Sequence, residues 1–242
     1  MNLEHPNLLG CGGRPRFSLG ITRLLSSMRL LASMFRTLNR SRFAWGVVVA
    51  VVCMAGCNQG PARLEQPGFD AQAISSALLD AHDSDRDGLL SEEELRQCPS
   101  ILKAIEKFDS GGDGKVSREE IAARVAFWSE GRVAVMRFEP SVRLDGEPLA
   151  GARVELVPEP ALAKIIKPAA GISSKSGYVE LLIAAEDLPP DTPYKGLHMG
   201  LYKVKVTHPD REIPARYNTE TELGQEVARD LGYDVTIELQ SG

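Results

Sequence analysis

Apolar and polar positions along the chain change rhythm three times. Phe43 to Gly56 is an uncharged run rich in valine and alanine, preceded by Arg36, Arg40 and Arg42. Further on, Phe69, Ala73, Ile74, Ala77, Leu78 and Ala81 recur at helical intervals, which puts one apolar stripe on a helix. Ile101, Leu102, Ile105 and Phe108 repeat that rhythm, as do Ile121, Val125 and Trp128. From Arg132 the period shortens to two. It is seen in Arg132–Phe138, Ala152–Val157, Tyr178–Leu181, Leu201–Val206 and Tyr233–Leu239, with turns such as Asp145-Gly146 and Ser176-Gly177 between them. Short alternating runs split by turns predict an antiparallel β-sandwich. The fold class expected is therefore α+β and multidomain: a small all-α unit over 69–130, then a β-sandwich over 131–242.

Between the helical stripes lie two acidic, glycine-containing gaps. The first reads Asp83-Ser84-Asp85-Arg86-Asp87-Gly88-Leu89-Leu90-Ser91-Glu92-Glu93-Glu94. Carboxylates at places 1, 3, 5 and 12 around a glycine at place 6 suit a hard cation that wants six to eight oxygens. Asp83, Asp85 and Asp87 would each give a side-chain oxygen, Leu89 its carbonyl, and Glu94 two oxygens. Gly88 allows the turn that wraps the ion. The second gap, Asp109 to Glu120, offers Asp109, Asp113, the Lys115 carbonyl and Glu120. It has Gly111 at place 3, so one ligand is missing and weaker binding is expected.

Both gaps resemble EF-hand loops, and that resemblance implies a calcium-binding helix-loop-helix pair. It also implies that Leu90 and Val116, at the eighth places, bridge the two loops. The loops begin 26 residues apart with Pro99 between them, so the first exit helix must be short, about Glu92 to Gln97. Dockerins use similar duplicated loops. The incoming helices and the glutamate at place 12 favour the EF-hand.

The first apolar run reads as an address. A spanning helix needs ~20 apolar residues, more than this run provides before Asn58-Gln59-Gly60-Pro61. Its basic flank and its end, Met54-Ala55-Gly56-Cys57, resemble a bacterial lipoprotein signal, although methionine stands where leucine is preferred. The resemblance implies that residues 1–57 are an extension plus signal peptide and that Cys57 carries a lipid anchoring the chain to a membrane. Residues 58–68 would be a flexible linker.

The β part resembles carboxypeptidase-regulatory-like, transthyretin-like modules. The matching residues are Val142–Ala152 with Val154 and Pro158, then Ser176–Glu180 and Gly200–Val204. Ile213–Asn218 is similar to the tail of short planctomycete lipoproteins of this type. Such modules define a fold and no chemistry.

Charge narrows the partners. Seven arginines and one acid precede Cys57, leaving 21 basic and 32 acidic residues from there on. Residues 69–130 hold 14 acids against 7 bases, a balance that repels nucleic acid and attracts cations. Cys11, Cys53, Cys57 and Cys98 show no zinc-type spacing, and Cys98 is expected as a free, half-buried thiol. His198, His208, Ser173, Ser174 and Ser176 sit in no recognisable nucleophile context. His82, beside the first loop, is expected to face outward. Expected overall is a non-enzymatic, calcium-binding lipoprotein of the cell envelope, with a protein or glycan partner. The alternatives are a dockerin-like adhesion or structural protein, or an accessory subunit of an envelope hydrolase.

Overall fold

The computed structural model describes residues 64–232 and 234–242. The expected signal peptide, the lipid site at Cys57, the first linker residues and Tyr233 lie outside the described residues. Among the described residues no helix is long and apolar enough to cross a membrane.

Helix α1 (Ala71–His82) starts where Asp70 accepts hydrogen bonds from the Gln72 and Ala73 amides, satisfying two of the helix's free donors. Its buried side is Ile74, Ser75, Leu78 and Leu79. The first loop leads through β1 (Leu89–Leu90) into α2 (Glu92–Leu95), which is as brief as Pro99 requires. Pro99 then opens α3 (Pro99–Lys103), where its missing amide costs nothing. After α4 (Ile105–Phe108) and the second loop come β2 (Val116–Ser117) and the long helix α5 (Arg118–Ser129). Helix α5 packs on α1, and the Phe69 ring meets Trp128 edge-on at 5.7 Å.

The rest is β-rich. One sheet has the order β10-β3-β4, with β3 Ser141–Leu144, β4 Glu147–Pro148 and β10 Thr236–Leu239. The other runs β7-β6-β5-β8-β9, built from β5 (Arg153–Pro158), β6 (Ala169–Ile172), β7 (Leu182–Ile183), β8 (Gly200–Thr207) and β9 (Gly224–Val227). Alternation works as expected in β5, where Val154 and Leu156 are buried between outward Arg153 and Glu155. The α+β class holds, with two adjustments. Strands β10 and β3 pair in parallel, Ile237 opposite Val142, while the other pairs are antiparallel. The alternating runs Arg132–Phe138 and Tyr178–Leu181 make only single bridges, Met136 with Leu197 and Ser141 with Tyr178. Left-handed backbone at Gly131 and Arg132 turns the chain just before the first of these, which leaves little straight length for a ladder.

Helical and β parts share one core, running from Ile74 to Leu239. Helix α3 lies along β9, the edge strand of the larger sheet, and buries all four of its residues. Gly224 is what allows this approach, because a Cβ there would collide with the Pro99–Ser100 backbone. Covering an edge strand with a helix also removes a surface prone to pairing with other chains.

Polar contacts seal the same junction. The Arg124 guanidinium in α5 is only 9% exposed and donates to Glu226 at 2.6 and 2.8 Å. It also donates to Asp230 at 3.0 and 2.8 Å, while Trp128 Nε1 donates to Glu226 at 2.8 Å. Nearby, Ser100 donates to the fully buried Glu159 at 2.9 Å, and Lys203 stands 3.9 Å from its other oxygen. Burial pushes the Glu159 carboxyl up, and the Lys203 charge pulls part of that back. Cys98, expected half-buried, is fully buried, and burial raises its thiol to about 12, where it is inert.

Arg124→Met would leave Glu226 buried with only Trp128 as its donor, and is expected to cost ~3–5 kcal/mol in urea unfolding. Helix and sheet signals should lose stability together in a single transition. Loss of the helical signal alone would show that the junction does not couple the two parts.

Candidate metal centre

The two loops are framed by the same hydrogen bonds at the same places. In the first, Asp83 at place 1 accepts from the amides of Arg86 and Gly88 at 2.6 and 3.0 Å. In the second, Asp109 accepts from the amides of Gly112 and Gly114. At place 5, Asp87 and Asp113 each accept from the amide two residues on, at 2.8 and 2.9 Å. At place 12, Glu94 accepts from the Ser91 amide and hydroxyl, and Glu120 does the same with Ser117. Ser91 and Ser117 in turn cap α2 and α5, so each loop contains the capping box that starts its own exit helix.

At Glu94, Glu120 and Asp87 such bonds favour the charged carboxylate. Glu94 is lowered to about 2, chiefly by the Ser91 amide and hydroxyl, with Ser84 adding to it. Glu120 is also brought to about 2, where burial opposes the Ser117 and Gly111 amides and loses. Asp87 is held below its usual range by the hydrogen bond from Lys115 and then by the Leu89 amide.

Asp83, Asp85 and Asp87 each offer an oxygen within 4.8 Å of the others, a spacing that fits one shared cation. Between the loops, β1 and β2 pair antiparallel about their eighth places, Leu90 opposite Val116 and Leu89 opposite Ser117. Both apolar residues are fully buried.

The EF-hand family model matches residues 76–99 and again residues 102–125. Residues 76–125 are an EF-hand pair. As such the unit binds calcium, and oxygen ligands of this kind suit that ion. No match is found among curated proteins or among solved structures.

Of the sequence-predicted ligands, the structure brings Asp83, Asp85 and Asp87 together at one point. It also adds two features the sequence did not announce. Place 4 takes left-handed backbone in both loops, φ 63° at Arg86 and 71° at Gly112. Gly112 therefore suits its position, whereas Arg86 carries the strain a side chain meets there. Lys115, expected only for its carbonyl, sends its ammonium across to Asp87 of the first loop at 2.8 Å. No spacing rule within one loop reports a contact between two.

The histidines are also placed. His82 is half-buried, and its buried Nδ1 has no hydrogen-bond partner among the described residues, so it does not face outward. His198 is buried near the start of β8, where its Nδ1 accepts from the Lys167 amide and burial lowers it to about 4. His208 bonds the Ala150 carbonyl at 2.8 Å.

Gly111 at place 3 faces Glu120 Oε1 and Asp109 Oδ1, with room for a Cβ at 3.5 and 3.8 Å. Gly111→Asp should restore the missing carboxylate and tighten the second site on the order of tenfold, since affinity follows ligand charge. It should also destabilise the calcium-free chain by repulsion. Calorimetric titration and a calcium-free melt check both effects.

Proposed function

We propose that this chain is a calcium-binding lipoprotein of the bacterial cell envelope, without catalytic activity, whose β-rich part is a structural or interaction module. The observation that carries the calcium part is the place-for-place agreement of the two loops, joined at Leu90 and Val116. In the first loop Asp83, Asp85, Asp87, the Leu89 carbonyl and both Glu94 oxygens hold the ion. In the second, Asp109, Asp113, the Lys115 carbonyl and Glu120 do so with one ligand fewer. Calcium modules outside the cytosol commonly bind at ~10⁻⁴–10⁻³ M, which makes the ion a structural one in a calcium-rich medium.

Envelope placement rests on Arg36, Arg40 and Arg42, the apolar run Phe43–Gly56, and Met54-Ala55-Gly56-Cys57. Lipidation at Cys57 would leave a short tether before the folded part. The β part is proposed as a carboxypeptidase-regulatory-like module. Its first hairpin, β3 to β4, turns at Asp145-Gly146 with φ of 53° and 83°, the geometry that favours Asp-Gly. An envelope protein or glycan is the partner class this reading expects.

Calorimetric calcium titration with excess magnesium is expected to show one or two sites, with the tighter one lost or strongly weakened in Glu94→Gln. A silent titration, with a melting temperature that calcium does not move, would overturn the calcium reading. Separately, cells fed labelled fatty acid should label the native chain and leave Cys57→Ala unlabelled. Label retained by the variant would remove the lipid anchor from the proposal.

A further inference from the structure

The second EF-hand loop is held at both ends by one carboxylate from outside the pair. Lys107, two residues before the loop, sits in α4, a helix of 4 residues, and such a piece has little stability of its own. Its Nζ lies 3.3 Å from Asp230 Oδ2 and donates to the Asp230 carbonyl at 3.1 Å. Arg124, one helical turn beyond Glu120, donates to both oxygens of the same carboxyl at 3.0 and 2.8 Å. Glu226 adds a second grip on Arg124 and Trp128, but touches only the outgoing helix. Burial works against the Asp230 charge, yet the Arg124 hydrogen bond, the Arg124 charge and Lys107 keep its carboxyl below the usual range. Among the described residues, no ion pair joins α1 to α2 across the first loop.

We propose that Asp230, with Lys107 and Arg124, is a positioning device for the second calcium loop: it presets the separation of the incoming and outgoing helices and so raises calcium affinity there. This rests on the calcium reading above. Binding an ion orders the loop that wraps it, and any part of that ordering already present in the free chain appears as affinity. The second loop has most to gain, because Gly111 gives no ligand and its Gly111-Gly112 stretch has the more backbone freedom to lose. The β-rich part thereby takes part in calcium binding without touching the ion.

The test is calcium titration of the full chain carrying Lys107→Met, Lys107→Arg or Asp230→Asn, each alone and on the Gly111→Asp background. Lys107→Met removes the tie between α4 and Asp230 and leaves the Arg124–Glu226–Trp128 contacts intact, so the fold should persist. Its second-site Kd should weaken roughly two- to fivefold, the worth of a half-exposed ion pair, with the first site unchanged. Lys107→Arg should restore the native value, and Asp230→Asn should weaken the site at least as much as Lys107→Met. In the calcium-free chain, amide exchange at Gly112 and Gly114 should quicken in Lys107→Met and return to native in Lys107→Arg.

Unchanged or tighter second-site binding in Lys107→Met, or unchanged exchange, overturns the proposal. So does a second loop that stays empty in both the native and the Gly111→Asp chains. In each case, binding at the first site in the same titration leaves the calcium reading itself standing.

Discussion

A guanidinium that is nearly out of water needs partners for its donors, and Arg124 makes four hydrogen bonds by reaching to the edge strand and the turn after it. It sits in the outgoing helix of the second EF-hand, 9% exposed, and finds Glu226 on the edge strand and Asp230 just beyond it. Desolvating such charges is costly, and the interaction repays that cost only when geometry is good and all partners are present. The helix can therefore take few positions relative to the sheet. The same junction holds the cover that α3 gives to β9, the contact between Ser100 and Glu159, and the buried Cys98. The calcium unit and the β-rich unit form one body around a shared apolar core, and the buried charge cluster restricts how they sit within it.

The loops were legible in the sequence because their chemistry is local. Twelve consecutive residues contain the ligands, the turn glycine and the exit-helix cap, so spacing alone reveals them. The bridge at Leu90 and Val116 came instead from the EF-hand resemblance, which pairs the eighth places of the two loops. The junction was not legible. Arg124 and Glu226 are 102 residues apart, and nothing in Gly224-Gln225-Glu226-Val227 alternates as a strand should. That segment is buried on every residue because a helix lies over it, and its glutamate is tolerated only because an arginine arrives from elsewhere. Arg132–Phe138 shows the converse, since a run read as a strand gives only one bridge when the chain is turned at its start. Periodicity records which face a residue could show; pairing depends on a partner that periodicity does not name.

Magnitudes decide what calcium can accomplish in such a body. Sensor EF-hands open by swinging the exit helix away and exposing an apolar groove. Here that swing would draw Arg124 and Trp128 away from Glu226, breaking three hydrogen bonds to a charged group at about 1.5–3 kcal/mol each before any apolar surface meets water. An ion present at a thousand times its Kd supplies about 4 kcal/mol. On the proposed reading, with weak sites in a calcium-rich medium, the supply is smaller than that. The ion's free energy is then more readily expressed as stability of the closed form than as work done against the junction. The sheet that holds α5 in place is thus also what turns a fold known for switching toward holding a structure together.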